Sequence, residues 1–143
     1  MDRHTQINDI FVHLFRKIWE LEEKAIITEE FKDISNNDMH IIEAIGLGDG
    51  RNMSAIAKLL NITVGSLTTS MNSLVNKKYA VRRRSEEDRR IVYIRLSKKG
   101  EQAFLHHQQF HKEMTDAVVE EMPEEEITVL LQALGRLERF LYK

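Results

Sequence analysis

Residues Asn52–Gly100 run NMSAIAKLLNITVGSLTTSMNSLVNKKYAVRRRSEEDRRIVYIRLSKKG, and the reading of this stretch decides the fold. Asn52 is a suitable N-cap for a short helix with Ile56, Ala57 and Leu60 facing inward. Asn61-Ile62-Thr63 then makes a turn, and Thr63 caps a second helix whose buried side is Leu67, Met71, Leu74 and Val75. The opposite face carries Ser66, Thr68, Thr69, Asn72 and Ser73, where a merely solvated helix would show Glu and Lys. Small hydroxyl and amide groups let a helix press against another surface, and Gly65 in its first turn helps in the same way. Ala80–Arg84 and Ile91–Leu96 follow as two strands, the second alternating Val92, Ile94 and Leu96 with Tyr93 and Arg95. Ser85 to Arg90 between them is a hairpin tip.

The charge is as uneven as the pattern is regular. From Lys77 to Gly100 there are ten Lys/Arg against three Asp/Glu, while the whole chain sums to −2, so the remainder carries −9. Such asymmetry describes a surface that approaches a polyanion. Beside it, Ser, Thr and Asn side chains can bond to base edges and phosphates. Helix, turn, helix and basic hairpin together give a winged helix-turn-helix that grips double-stranded DNA.

The flanks are helical. Ile7, Ile10, Phe11, Leu14, Ile18, Leu21 and Ala25 form an amphipathic stripe that ends before the mixed segment Thr28 to Ile34. Ser35 with Asp38 resembles a capping box opening a helix through Met39, Ile42 and Ile45, closed by Gly46, Gly48 and Gly50. Ser97 caps a long helix with Phe104, His107, His111, Met114 and Val118 on one stripe. Pro123 starts a last helix with Glu124, Glu125 and Glu126 at its positive end and a seam of Ile127, Leu130, Leu131, Leu134, Leu137 and Leu141. The expected architecture is a single domain over 1–143, mainly α with a small β-hairpin wing. A DNA-binding lobe spans about 36–97, and 5–30 with 98–143 form a helical dimerisation region. The outer helices are more apolar on one face than a small lobe can cover, which calls for a homodimer with two recognition helices about 34–36 Å apart.

With no cysteine in 143 residues, disulfides and thiolate metal sites are excluded. No apolar run approaches the roughly 20 residues that span a bilayer. A cytoplasmic protein with no membrane association is the expectation. No Gly-rich phosphate loop follows a strand and no Ser-His-Asp arrangement has supporting context, so the chain is not read as an enzyme and no cofactor is called for.

Asp88-Arg89-Arg90-Ile91-Val92-Tyr93-Ile94-Arg95-Leu96-Ser97-Lys98-Lys99-Gly100 resembles the wing of the MarR family of bacterial transcription regulators. Ile56-Ala57, Leu60, Ile62, Leu67-Thr68 and Leu74 fit the same family's helix-turn-helix, and the likeness covers essentially the full length. Phe31-Lys32-Asp33-Ile34-Ser35, Met39-His40, Arg84-Ser85-Glu86 and Phe110-His111-Lys112 are similar to the FabT branch. That resemblance implies a repressor of fatty-acid synthesis genes whose co-repressor is a long acyl group on acyl carrier protein. Two departures are visible: Lys78 replaces the Gly common after the recognition helix, and Pro123 stands where the last helix often begins after Ser.

The residue types assign roles. Arg90 at the tip can enter a narrow A·T-rich minor groove, with Asp88 orienting it rather than touching phosphate. Lys77, Lys78, Arg82, Arg83, Arg84 and Arg89 are candidate phosphate contacts, not separable from one another in sequence. Thr68 and Thr69 match the family's DNA-contacting pair. In many relatives the second is Arg, so Thr69 gives up a bidentate guanine contact in favour of shape readout and an A·T-rich pseudo-palindrome. Phe15, Ile18, Trp19, Met39 and Ile42 read as core by default, and in a MarR-like dimer as an effector crevice suited to an alkyl chain. His107 and His111, four apart, could bind zinc with His40 and Glu22 or Glu23; ordinary interface histidines are the competing reading.

Overall fold

The computed structural model describes residues 2–26, 28 and 30–142. Glu29, within the mixed segment read at Thr28 to Ile34, lies outside them. Among the described residues the chain forms six helices and three strands. These are α1 (Arg3–Ile26), α2 (Asn36–Ile45), β1 (Arg51–Asn52), α3 (Met53–Leu60), α4 (Val64–Asn76), β2 (Ala80–Arg84), β3 (Val92–Leu96), α5 (Lys98–Val119) and α6 (Glu124–Leu141). They divide into two compact units, residues 1–108 and 109–143, with the division inside α5.

In the first unit the expected caps set the helix boundaries. Ser35 Oγ accepts from Asp38 N–H at 3.1 Å while Asp38 Oδ2 accepts from Ser35 N–H at 3.0 Å, the reciprocal box that starts α2. Asn52 Oδ1 accepts from Ala55 N–H at 2.8 Å and Thr63 Oγ1 from Ser66 N–H at 3.1 Å, so both helices of the central pair begin where their cap residues stand. Asn61, left-handed at φ 55°, ends α3. The recognition helix α4 ends in a Schellman motif: Lys78 N–H bonds Val75 O, and Tyr79 N–H bonds Leu74 O. Lys78 takes φ 72° there, so the departure from Gly does carry left-handed strain.

The sheet is antiparallel in the order β1-β3-β2. The hairpin was expected, whereas β1, two residues pairing Arg51 with Ile94 and Asn52 with Tyr93, was not. Gly50 makes that pairing possible. It sits at φ 82°, and a Cβ on it would collide with the carbonyl oxygen of Ile94. Leu67, Met71 and Leu74 of α4 close on Ile41, Ile42, Ile56 and Ile94 in one core, each no more than 2% exposed. Burial at that level stabilises by about 1.5–3 kcal/mol per side chain before entropy is counted. Tyr79, fully buried, donates its hydroxyl to Asp33 Oδ1 at 2.6 Å, and Lys99 Nζ lies 4.3 Å from its ring centroid.

The apolar stripe of α1 is not what this unit buries. Ile7, Ile10, Leu14, Phe15 and Trp19 are about half exposed, and the buried residues of α1 are Glu22 and Ile26. In the second unit α6 buries none of its residues, leaving Leu131, Leu134 and Leu141 exposed. Pro123 precedes the helix as its N-cap residue and has no side-chain acceptor for the first N–H groups, with the three glutamates filling the first turn as expected.

Candidate nucleic-acid interface

Strand alternation sorts the arginines that the sequence leaves undivided. Arg82 faces Ile94 and Arg84 faces Val92 across the hairpin, so both share the sheet side that turns towards α4. Arg83 pairs with Tyr93 on the other side, its guanidinium 5.3 Å from the ring centroid. The consequence is a concavity of about 500 Å³ between wing and recognition helix, lined by Arg82, Arg84 and Arg90 with Asn52, Ser54, Val64 and Thr68. Arg83 instead borders a separate hollow with Ser85, Glu86, Glu87 and Tyr93. Cations converge on the first space, and acids share the second.

At the tip Arg90 is gripped twice by Asp88, Nε to Oδ1 and Nη2 to Oδ2, both at 3.0 Å. Asp88 Oδ1 also accepts Arg90 N–H at 3.1 Å, and Ser85 Oγ accepts Asp88 N–H at 3.3 Å. The Arg90 guanidinium thus holds the Asp88 carboxyl below the usual carboxylate range, and Asp88 pushes Arg90 up. The Arg90 side chain remains 91% exposed, a charge aimed outwards on a fixed arm. Arg84 Nη1 donates to Arg89 O at 2.9 Å and so braces the tip from within.

On α4 the burial of Leu67, Met71 and Leu74 leaves Gly65, Thr69, Asn72 and Asn76 along the outer crest. Thr68 flanks it on the wing side, and Asn72 is the crest residue bonded to the wing. Thr68 Oγ1 donates to Val64 O at 2.8 Å, and Arg82 Nη2 donates to Asn72 Oδ1 at 2.6 Å. Ser66 turns the other way and lines a groove with Ser70, Asn37, His40 and Leu59. Ser73 is half-buried. Lys77 is tied to α2, Nζ lying 3.3 Å from Asp38 Oδ2. Gly65 is not demanded by its own fold, since a Cβ there meets only Thr63 Oγ1 at 3.9 Å. Sequence reasoning missed Asn52, Ser54 and Asn76. The first two come to the interface through β1 and the start of α3, and only the helical period could have flagged the third.

The candidate crevice residues separate by burial. Met39 and Ile42 are sealed in the core at 1% and 0% exposure, Ile18 is intermediate, and Phe15 and Trp19 are about half exposed. Trp19 stacks on His40 with ring centroids 6.5 Å apart. His40 and His107 do come together, edge to face at 6.4 Å, around Glu22 and Glu43. His107, 1% exposed, has Nε2 at 2.7 Å from Glu43 Oε1 and 3.3 Å from Glu22 Oε1; His40 approaches the same two carboxylates at 3.5 and 3.8 Å. His111 belongs to the second unit, where its ring meets Phe110 at 5.5 Å.

Residues 32–91 match the MarR family, the span from just before α2 through the wing tip. A regulator of Clostridium symbiosum, BilQ, is 30% identical over 130 residues, 88% of each chain. This chain belongs to the MarR family. Its fold superposes on Streptococcus pneumoniae FabT in complex with DNA with a TM-score of 0.89, 39% identity and 97% of each chain covered. The S. aureus MepR–DNA complex shares the fold at a TM-score of 0.68 and 24% identity, over 90% of this chain and 96% of that one. These relatives are transcription regulators, not enzymes, and as a MarR-family winged helix this chain is a DNA-binding transcription regulator. Among the described residues no helix is long and apolar enough to cross a membrane.

Proposed function

We propose that this MarR-family regulator is a cytoplasmic homodimer that binds an A·T-rich pseudo-palindrome and represses fatty-acid synthesis genes. Acyl carrier protein bearing a long acyl chain would be its co-repressor. The observation that carries the reading is the likeness to FabT bound to DNA across 97% of both chains. Exposed apolar residues on α1 and, separately, on α6 support a dimer, since a second copy is the simplest cover for them. Thr68, Thr69, Asn72 and Asn76 present the helix, while Arg82, Arg84, Arg89 and Arg90 supply charge. The absence of Arg at position 69 favours shape readout of A·T-rich DNA.

For the effector, Phe15, Ile18 and Trp19 are the accessible part of the expected crevice, and an alkyl chain reaching Met39 and Ile42 has to open the core. Each buried methylene is worth about 0.8 kcal/mol, so two more carbons tighten the complex about tenfold until the space is full. The test is operator affinity titrated with acyl carrier protein of increasing chain length. Affinity rising with length supports the reading; indifference to every acyl carrier removes the co-repressor.

Buried His107 and Glu22, with the more exposed His40 and Glu43 beside them, favour a second reading, a zinc-responsive regulator. Imidazole and carboxylate are donors that suit zinc, and His107 Nε2 already faces both carboxylates. Operator binding that responds to zinc, is reversed by chelation and is lost in His107→Ala would establish it in place of the acyl effector.

A further inference from the structure

Asn72 and Arg82 both face the DNA-reading side, yet they are bonded to each other. Arg82 reaches α4 because the hairpin register sets it opposite Ile94, on the sheet face that packs towards that helix. Its Nη2 donates to the Asn72 side chain at 2.6 Å. A guanidinium has donors and no acceptor, so the end of the amide it holds has to be the oxygen. The NH₂ end is then the one left to the exposed side of Asn72.

That orientation limits what Asn72 can read. The bidentate contact of Asn with adenine needs the amide oxygen at N6–H and the nitrogen at N7. With its oxygen turned back to a charged donor, Asn72 offers hydrogens, suited to thymine O4, guanine O6, a purine N7 or phosphate oxygen, and loses the second bond that singles out adenine. Thr68, one turn earlier on the same side, has spent its proton on Val64 O and offers lone pairs and a methyl group. Resting on the reading that α4 enters the major groove, we propose that Arg82 is a positioning residue for base recognition. It fixes the Asn72 amide as a donor towards DNA, so the pair rather than Asn72 alone sets the base preference there.

The experiment is selection of bound duplexes from a randomised library by the full-length protein, its Arg82→Met and Asn72→Ala variants and the double variant, followed by affinity measurement across salt. Arg82→Met should reduce the preference of about fivefold to tenfold at one position per half-site, or shift it towards adenine, leaving other positions unchanged. In the Asn72→Ala background, Arg82→Met should change no preference further. Asn72→Asp, which still accepts from Arg82 but offers DNA a carboxylate, should bind weakly to every sequence. If Arg82→Met instead weakens all sequences alike and flattens the salt dependence with preference intact, Arg82 is a phosphate contact and the proposal is overturned. A wild-type protein that selects no sequence at all would overturn the groove assignment itself, a separate and recognisable result.

Discussion

Arg83 and Arg84 are adjacent, equally charged and both exposed, and they should behave oppositely on DNA. Arg84 lines the concavity beside α4; Arg83 lies over Tyr93 on the far side of the hairpin, next to Glu86 and Glu87. Each phosphate contact contributes about 0.9 to the slope of log affinity against log salt on duplex DNA. A homodimer carries two copies, so Arg84→Ala should flatten the slope by about 1.8 if both touch phosphate. Between roughly 50 and 200 mM salt that slope change alters relative affinity about twelvefold. Arg83→Ala should leave the slope within about 0.5 of wild type. Fluorescence anisotropy on one labelled operator across salt reads both variants, with thermal melts to confirm that neither is unfolded. If Arg83→Ala flattens the slope as much as Arg84→Ala, the sorting of the arginines by sheet face is wrong.

Arg90→Ala should weaken operator binding about tenfold to a hundredfold per half-site without lowering the melting temperature, because its side chain contacts only the tip. Asp88→Ala should weaken it less and lower the preference for narrow-groove sequences, as a mobile Arg90 loses its aim; equal binding by wild type and Arg90→Ala at matched salt would remove the wing-tip role. Gly50→Ala should cost about 1–3 kcal/mol in chemical denaturation, since it combines a left-handed backbone with a collision against β3. An unchanged midpoint would mean that the β1 pairing contributes nothing. Tyr79→Phe should cost about 1 kcal/mol near neutrality. The Tyr79 hydroxyl holds Asp33 below its ordinary 3.8, so that contribution is present above that pH and lost as acid protonates the folded carboxyl. Burial and Asp33 push Tyr79 up from 10.0, so its share is whole below that pH and is lost as pH rises beyond it. Both limbs of stability against pH should therefore be shallower in Tyr79→Phe, and a curve merely displaced downwards would contradict the assignment.

The elements were legible because each is specified by neighbours in the chain. Asn52, Thr63 and Ser35 bond backbone three residues on, and the alternation of Val92 to Leu96 needs only a pleated strand, so no distant residue is required to place them. The left-handed turn at Lys78 and the Asp88–Arg90 pair are equally local. The family-level function followed, since a basic hairpin after a hydroxyl-rich helix has few other uses.

What sequence could not divide was the interior of the site. Arg82, Arg83 and Arg84 are one basic run until hairpin register and sheet packing assign two to one face and the third to the other. β1 was invisible because two residues carry no period, and only the approach of Gly50 to Ile94 makes a strand of them. The stripe on α1 showed that the helix is amphipathic without saying what covers it, and the fold buries Glu22 there instead. Glu22 and His107 lie far in the chain from each other and from the His40–Glu43 pair of α2, and their meeting depends on how α1, α2 and α5 pack. Hydrogen-bond spacing and periodicity act over a few residues and can be read along a line; which faces meet depends on long-range packing, which the folded chain alone decides.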